Sequence, residues 1–169
     1  MRWYLDTEFN ENGKTIELIS LGLINEAGRE FYACSAEINE TRIAKANPWV
    51  GKNVLPKLPP HSATTIWMRR KKMAERIGKL LLPDPEIEVW AYFGAYDWVV
   101  FAQLWGTMFD LPKGMPMYVH DIKQEMDRLG IDVRQLPPQN KNSTHDAIDD
   151  ARWNRAAHMA LMKYEAKKR

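Results

Sequence analysis

The spacing of apolar and polar positions in the first part of the chain predicts three β-strands. Residues 2–9 form an apolar, aromatic run that ends in two acids, and a turn signal at residues 10–13 follows it. Residues 15–25 are mostly apolar, and a tight turn at residues 26–28 leads to a third strand at residues 29–36. Because both turns are short, we predict an antiparallel meander that begins with the acidic strand.

Further along, the pattern alternates helices with short strands. Residues 40–60 are irregular, with a short helix near 41–46 and a proline-rich surface loop at 54–60. A helix capped by Ser62 or Thr64 is predicted to run to about Leu82. The remaining predicted elements are strands at 87–92 and 117–121, helices at 95–105, 122–129 and about 147–167, and a loop at 136–142. This layout predicts one α/β domain over residues 1–169 with a mixed five-stranded sheet.

Composition narrows the class of protein only a little. The apolar fraction of 45% and the charged fraction of 27% are typical of globular domains, and a net charge of +2 is too small to indicate nucleic-acid binding. No apolar run approaches the roughly 20 residues that cross a bilayer, and the first residues predict a strand rather than a signal peptide. Cys34 is the single cysteine, so internal disulfides are excluded and a cytoplasmic protein without a membrane partner is expected.

Two acids at the end of the first strand, Asp6 and Glu8, carry the first chemical signal. Because side chains alternate along a strand, both carboxylates point to the same face. They repel each other there, and a divalent cation such as Mg²⁺ or Mn²⁺ would remove the conflict. An isolated pair of this kind is more often a solvated strand end, so its interpretation depends on the rest of the chain.

More acids and a histidine precede or begin two later helices. Asp97 falls in the first turn of a helix that leaves a buried strand, near the sheet edge where α/β sites form, although a capping role explains it too. His145 precedes the last helix, and Asp150 can face back across the same site. Spacing alone allows Asp149 in place of Asp150, and Asp146 or Asp149 can instead be a cap or an exposed acid.

The candidate site therefore contains four carboxylates and one histidine. The predicted metal ligands are Asp6, Glu8, Asp97 and Asp150. Four carboxylates suit two Mg²⁺ ions about 3.5–4 Å apart, an arrangement used for in-line displacement at phosphorus. A histidine titrates near neutrality, so His145 suits a general base that takes the proton from an attacking water.

Three motifs in order carry a specific resemblance: Asp6-Thr7-Glu8, Tyr96-Asp97 and His145-x-Ala147-x-x-Asp150. They resemble the DEDDh 3′–5′ exonucleases, the ribonuclease T superfamily with a ribonuclease H-like fold. Five stretches across most of the chain are similar to the mycobacterial 3′–5′ exoribonuclease family called ribonuclease AS: DTEF, TIELISLGLI, VLPKLPP, GAYDWVVFAQLWG and HDAIDDA. One departure is Phe93-Gly94, where the superfamily usually places an asparagine that contacts substrate or water.

The resemblance implies an enzyme that releases nucleoside 5′-monophosphates from the 3′ end of single-stranded RNA or a 3′ overhang, with adenosine as the expected preference. It implies two divalent cations, Mg²⁺ or Mn²⁺, and a homodimer that shares the substrate path. Phe9 is similar in position to residues that stack on the terminal base, with core packing as its alternative role. The other predicted substrate contacts are the motif residues Thr7 and Tyr96, and Glu17, which is otherwise a strand-edge glutamate.

Other functions stay open at this point. A DNA-directed 3′–5′ exonuclease fits the same motifs, because the contacts that recognise a 2′-hydroxyl cannot be located in the sequence. An inactive nucleic-acid-binding module would be marked by loss of an acid or of the histidine, and all five residues are present. An adaptor protein with accidental motifs would not place three of them in order on suitable elements.

Overall fold

The computed structural model describes residues 1–140 and 144–168. This part of the chain forms β1 (Arg2–Glu11), β2 (Ile16–Asn25), β3 (Glu30–Ser35), α1 (Glu40–Ala46), α2 (Pro48–Asn53), β4 (Trp67–Met68), α3 (Arg70–Leu81), β5 (Glu88–Ala91), α4 (Ala95–Ala102), β6 (His120–Asp121), α5 (Ile122–Leu129) and α6 (Ala147–Lys168). Short 3₁₀ helices at Leu55–Lys57, Met108–Asp110 and Val133–Gln135 lie in the connecting segments. Part of the loop predicted at residues 136–142 lies outside the described residues.

The strands form one mixed sheet in the order β4-β3-β2-β1-β5-β6. β1, β2 and β3 are an antiparallel meander, while β5 runs parallel to β1 and β6 parallel to β5. The predicted α/β class and the meander are therefore confirmed. The predicted count of five strands is wrong, because Trp67–Met68 adds a sixth, parallel to β3.

The same segment corrects the predicted start of the third helix. α3 begins at Arg70 after Arg69, whose side chain makes no capping hydrogen bond, rather than after Ser62 or Thr64. Just before it, the backbone carbonyl of Ile66 accepts a hydrogen bond from Cys34 of β3, and that of Met68 accepts one from Ala36, directly after β3. Sheet pairing thus uses the backbone groups that a longer helix would need.

A further helix lies in the stretch predicted to be irregular. In α2, the Asn47 side chain accepts a hydrogen bond from the backbone N–H of Val50, and Pro48 occupies the first turn. Ile43, Val50 and Val54 pack with Ile19 of β2, so residues 40–57 are anchored to the sheet. Within the described residues, no helix is both long and apolar enough to cross a membrane.

Alternation along β1 divides the core into two layers. Trp3 and Leu5 belong to the cluster that includes α3 and α4, whereas Tyr4 packs with residues of α5 and α6. Asn154 of α6 donates a hydrogen bond to the Leu5 carbonyl at 2.9 Å. The middle of β1, which carries Asp6 and Glu8, therefore lies between α4 on one face and α6 on the other.

Gly22 of β2 allows the start of α6 to lie against the sheet. A Cβ at this position would lie 2.2 Å from the Ala147 carbonyl oxygen and 2.6 Å from the Ile148 Cα. No side chain fits such a gap, so glycine permits the close approach of strand and helix. This contact fixes the position of the first turn of α6, which carries Asp150.

Candidate active site

The site forms near the middle of β1, just beyond the residues that pair with β5. Asp6 and Glu8 follow Tyr4 on the α6 face, as the alternation of side chains requires. Thr7 lies on the opposite face, where it meets Asp97 of α4. The register of β1 against β2 shifts between Glu8 and Phe9, which marks a bulge beside the site.

Asp97 is held by two hydrogen bonds from a single residue. The backbone N–H and the hydroxyl of Thr7 donate to one Asp97 oxygen, at 2.8 and 2.7 Å. Asp97 is buried in the first turn of α4, which follows β5 through a tight loop. These bonds hold the carboxylate against β1, beside Asp6 and Glu8.

The start of α6 brings the third motif to the same place. The backbone N–H of His145 donates to one Asp150 oxygen at 2.7 Å, and the Gln139 amide donates to the other at 2.5 Å. A ring nitrogen of His145 and carboxylate oxygens of Glu8 and Asp150 lie within 4.8 Å of one another. His145 adopts a left-handed backbone conformation, with φ of 67°, which is strained for a residue other than glycine.

The neighbouring acids have other partners. Asp149 forms an ion pair with Arg152 at 2.5 Å, on the side of α6 away from the cleft lining. Asp146 accepts a hydrogen bond from the backbone N–H of Ile148 at 3.2 Å, which is a capping contact. The structure thus places Asp150, and not Asp149, beside His145.

The predicted metal ligands and the predicted general base converge on one open cleft of about 330 Å³. Its lining combines acids, one histidine and aromatic side chains: Asp6, Thr7, Glu8, Phe9, Trp49, Tyr92, Asp97, Gln139, His145, Asp150, Trp153 and Asn154. All four predicted metal ligands and the predicted general base are therefore brought together. The lining also includes side chains from the α2 segment and the 136–140 loop.

The carboxylates raise one another's affinity for protons. Burial, followed by the charges of Asp97 and Glu8, raises the pKa of Asp6 well above its usual range. Burial and the charges of Asp150 and Asp97 raise the pKa of Glu8 to about 8. Burial raises the pKa of Asp97 to about 6, although the hydrogen bonds from Thr7 act in the opposite direction.

Burial likewise raises the pKa of Asp150, against the hydrogen bonds from His145 and Gln139. Ionisation of all four carboxylates in one cleft is therefore unfavourable. For Glu8, the positive charge of Lys57 offsets this repulsion only in part. Hard carboxylate oxygens that converge in this way are the donors that Mg²⁺ and Mn²⁺ prefer. The residues present therefore fit divalent cations.

Comparison with known proteins identifies the family. Residues 1–162 match the family described as the 3′-5′ exoribonuclease Rv2179c-like domain. The chain belongs to this family. Two proteins of Mycobacterium tuberculosis, named 3′-5′ exoribonuclease Rv2179c and 3′-5′ exoribonuclease MT2234.1, are each 43% identical over 154 residues, or 90% of this chain and 88% of the relative. The resemblance that the motifs indicated is confirmed.

A solved structure supports the fold of this Rv2179c-like domain. The Pan2 catalytic unit of Neurospora crassa, which contains a protease and a nuclease domain, matches with a TM-score of 0.55 and 13% sequence identity. The match covers 99% of this chain and 28% of that chain, so the present chain spans only about a quarter of the larger protein. The predicted ribonuclease H-like fold is confirmed.

The four residues predicted to contact substrate in this Rv2179c-like domain differ in their position relative to the cleft. Phe9 and Tyr96 stack on each other beside the cleft, with ring centroids 5.8 Å apart and planes inclined by 12°. Thr7 is buried and uses its hydroxyl for Asp97. Glu17 accepts hydrogen bonds from Arg42 at 2.5 and 2.6 Å and does not line the cleft.

Sequence reasoning missed several side chains that line the cleft of this domain. Trp49 reaches it from α2, and Gln139 binds Asp150 from the loop before α6. The dipeptide Asn47-Pro48 is a cap followed by a first-turn proline, so it could have revealed α2 and directed attention to Trp49. Gln139 lies in a proline-rich loop without regular periodicity, and no local signal marks it.

The departure at Phe93-Gly94 has a structural reason in this domain. A Cβ on Gly94 would lie 2.6 Å from the Ala91 Cβ, so the chain can turn from β5 into α4 only with glycine at this position. The Gly94 N–H also donates to Asp121 at 2.9 Å. Phe93 has φ of 54° and a mostly exposed ring, and it therefore projects away from the core.

Proposed function

We propose that this protein is a metal-dependent 3′–5′ exoribonuclease that releases nucleoside 5′-monophosphates from single-stranded RNA or 3′ overhangs. The observation that carries the proposal is the convergence of Asp6, Glu8, Asp97, Asp150 and His145 on one cleft. Membership of a family described as 3′-5′ exoribonuclease-like supports the direction and the substrate class. The names of the two mycobacterial relatives support them as well.

Asp6, Glu8, Asp97 and Asp150 are the proposed ligands of two divalent cations, Mg²⁺ or Mn²⁺. When bound, such ions supply an activated water and stabilise the negative charge on the leaving 3′-oxygen. The protein's own contribution is to orient the carboxylates through hydrogen bonds. Thr7 fixes Asp97, and the Gln139 amide with the His145 N–H fixes Asp150. Partners of this kind orient metal ligands and raise their affinity.

His145 is the proposed general base. Its ring lies within reach of the carboxylates of Glu8 and Asp150 and is only partly buried, so water and substrate can approach it. A positioned imidazole can accept the proton of an attacking water, which typically contributes about 10²–10⁴-fold to the rate.

The stacked rings of Phe9 and Tyr96 are the proposed binding surface for the terminal base. Stacking on an aromatic ring is worth about 1–3 kcal/mol per base and tolerates every base. A preference for adenosine, the base implied by the resemblance, would follow from its large stacking surface. Contacts from Thr7 and Glu17 to RNA stay predictions; for Glu17, RNA would have to extend past the cleft toward the ion pair with Arg42.

We also propose a cytoplasmic homodimer. The single cysteine, Cys34, is buried and free, as suits a reducing compartment. Exposed apolar side chains around the 3₁₀ helix after α4, including Met108 and Phe109, support an association surface. Sedimentation at several protein concentrations tests the dimer, and a monomer throughout that range would contradict it.

The deciding experiment uses 5′-labelled RNA and DNA of the same mixed sequence, with Mg²⁺, Mn²⁺ or EDTA. We expect a ladder that shortens from the 3′ end of RNA, needs metal and disappears with EDTA. Asp6→Ala and Asp150→Asn should abolish it, because each removes a proposed ligand, while His145→Ala should slow it about 10²–10⁴-fold.

Asp149→Asn is the matched control for Asp150→Asn. It removes an adjacent carboxylate of the same helix that is bound to Arg152, and it should change the rate by less than about twofold because a surface ion pair contributes little. Normal turnover by Asp150→Asn would refute the metal assignment. A ladder on DNA alone would make the protein a DNA exonuclease, and binding without cleavage would make it a nucleic-acid-binding module.

A further inference from the structure

Trp49 is one of the cleft residues that no motif accounts for. Its ring meets the ring of His145 edge to face, with centroids 4.8 Å apart and planes inclined by 83°. This is a favoured geometry for aromatic pairs, which contribute about 0.5–1.5 kcal/mol beyond their buried area. About half of the Trp49 side chain is exposed, so the ring stands at the edge of the cleft rather than in the core.

A second contact joins the same two parts of the chain. Lys57 in the 3₁₀ helix Leu55–Lys57 donates a hydrogen bond from its amine to the carbonyl of Thr144, the residue before His145. Residues 49 and 57 belong to one segment, which Val50 and Val54 anchor on Ile19 of β2. The segment therefore rests on the central sheet and touches the histidine at both its ring and its preceding peptide.

The backbone of His145 does not by itself fix the orientation of the ring, so the ring needs contacts from elsewhere in the chain. It precedes α6 and has φ of 67°, a conformation that costs an ordinary residue about 1–3 kcal/mol unless its surroundings hold it. Its N–H is fixed by Asp150, but that bond constrains the backbone and leaves the ring free to rotate about its side-chain torsions. Among the aromatic contacts of the described residues, the His145 ring pairs with the ring of Trp49.

We infer that the segment from Pro48 to Lys57 positions the His145 ring for proton transfer, with Trp49 as the residue that sets the ring orientation. The inference rests on the proposed function, because it gives His145 the role of general base. Trp49 is a positioning residue that acts through His145. Reactive groups displaced by about 1 Å lose about 10²-fold in rate, so loss of this contact should be visible in turnover.

The test compares Trp49→Ala and Trp49→Phe with the unmodified chain on 5′-labelled RNA, under single-turnover and steady-state conditions. Trp49→Ala should lower kcat about 10–100-fold with KM changed by less than about threefold. Trp49→Phe keeps an aromatic edge contact and should restore most of the rate. Tyr118→Ala is the control, because it removes an exposed ring that meets His120 edge to face outside the cleft lining, and it should leave the rate unchanged.

A double-mutant cycle with His145→Ala separates positioning from substrate binding. If Trp49 acts through the histidine, Trp49→Ala should slow the His145→Ala enzyme by less than about twofold. A full additional loss, or a rise in KM with kcat intact, would show that Trp49 binds RNA directly and would overturn the inference. Full activity of His145→Ala would instead refute the role of the histidine in the proposed function.

Ring-proton NMR gives a readout that does not depend on turnover. The chain has 4 histidines, so the His145 ring signal can be assigned by its absence from His145→Ala. The ring current of Trp49 should shift the resonance of the His145 ring protons. This ring-current shift should vanish in Trp49→Ala and persist in part in Trp49→Phe. An unchanged His145 signal in Trp49→Ala would show that the rings are not in contact and would also overturn the inference.

Discussion

Replacement of Gly22 by alanine is the sharpest test of how the sheet positions the site. The added methyl group would lie 2.2 Å from the Ala147 carbonyl oxygen, 2.5 Å from its carbonyl carbon and 2.6 Å from the Ile148 Cα. All three atoms belong to the backbone, so no side-chain rotation relieves the overlap. Overpacking typically costs about 1–3 kcal/mol, and a contact with backbone belongs at or above the upper end of that range.

The first turn of α6 must move away from β2 to accommodate the methyl group. That turn carries Asp150, whose oxygen accepts the His145 N–H, so both groups move with it. We expect Gly22→Ala to lower the melting temperature by roughly 6–12 °C, since about 1 kcal/mol corresponds to about 2–4 °C at this chain length. Turnover of RNA should fall more than tenfold at a temperature where the variant is still folded.

Gly78→Ala is the matched control, because it adds the same methyl group where there is room. Gly78 is inside α3, and the nearest atom to the added Cβ would be the Leu82 Cδ1 at 3.7 Å. Alanine in a helix is favoured over glycine by about 0.5–1 kcal/mol, so this variant should melt slightly higher with normal turnover. If Gly22→Ala melts and turns over like the unmodified chain, the close approach of α6 to β2 is refuted.

Two further predictions concern single buried contacts. Thr7→Val keeps the hydrogen bond from the Thr7 backbone N–H to Asp97 but removes the one from the hydroxyl. About 10–100-fold more Mg²⁺ should then be needed for half-maximal activity. An unchanged Mg²⁺ requirement would contradict the role of the hydroxyl in orienting Asp97. His158 is buried against Trp90 and hydrogen-bonded to Tyr4, and burial lowers its pKa from 6.5 to about 4. The unfolded chain therefore binds the extra proton first, and about 3 kcal/mol of stability present above pH 6.5 should be lost as the pH falls toward 4. His158→Gln should lack this loss in urea unfolding, and parallel pH curves for both proteins would contradict it.

Much of the fold follows from patterns that are local in sequence. α5 has the predicted bounds, residues 122–129, because an acid cap, an apolar stripe and a terminal glycine act within a few residues of one another. The first three strands are likewise recovered to within a few residues. β4 could not be predicted, because two residues become a strand only through hydrogen bonds to β3, more than thirty positions away in the sequence.

In the candidate site, too, some features follow from local sequence and others require the tertiary structure. Alternation along one strand is a local property, so the shared face of Asp6 and Glu8 followed from the sequence alone. The choice of Asp150 over Asp149 required the motif pattern, and the structure supplies its physical basis: Asp150 is bonded to His145, whereas Asp149 is paired with Arg152. Neither bond is visible in the spacing of two adjacent acids.

By itself, therefore, the sequence determined the types of most elements, the order of the three motifs and the candidate residues for metal binding and proton transfer. Tertiary structure alone decided which side chains meet: Thr7 with Asp97 across the β1–α4 contact, and Trp49 with His145 across 96 positions of chain. The physical reason is range. Propensity, capping and alternation act over a few residues, whereas convergence depends on packing such as the approach of α6 to Gly22, whose fit involves atoms from distant parts of the chain.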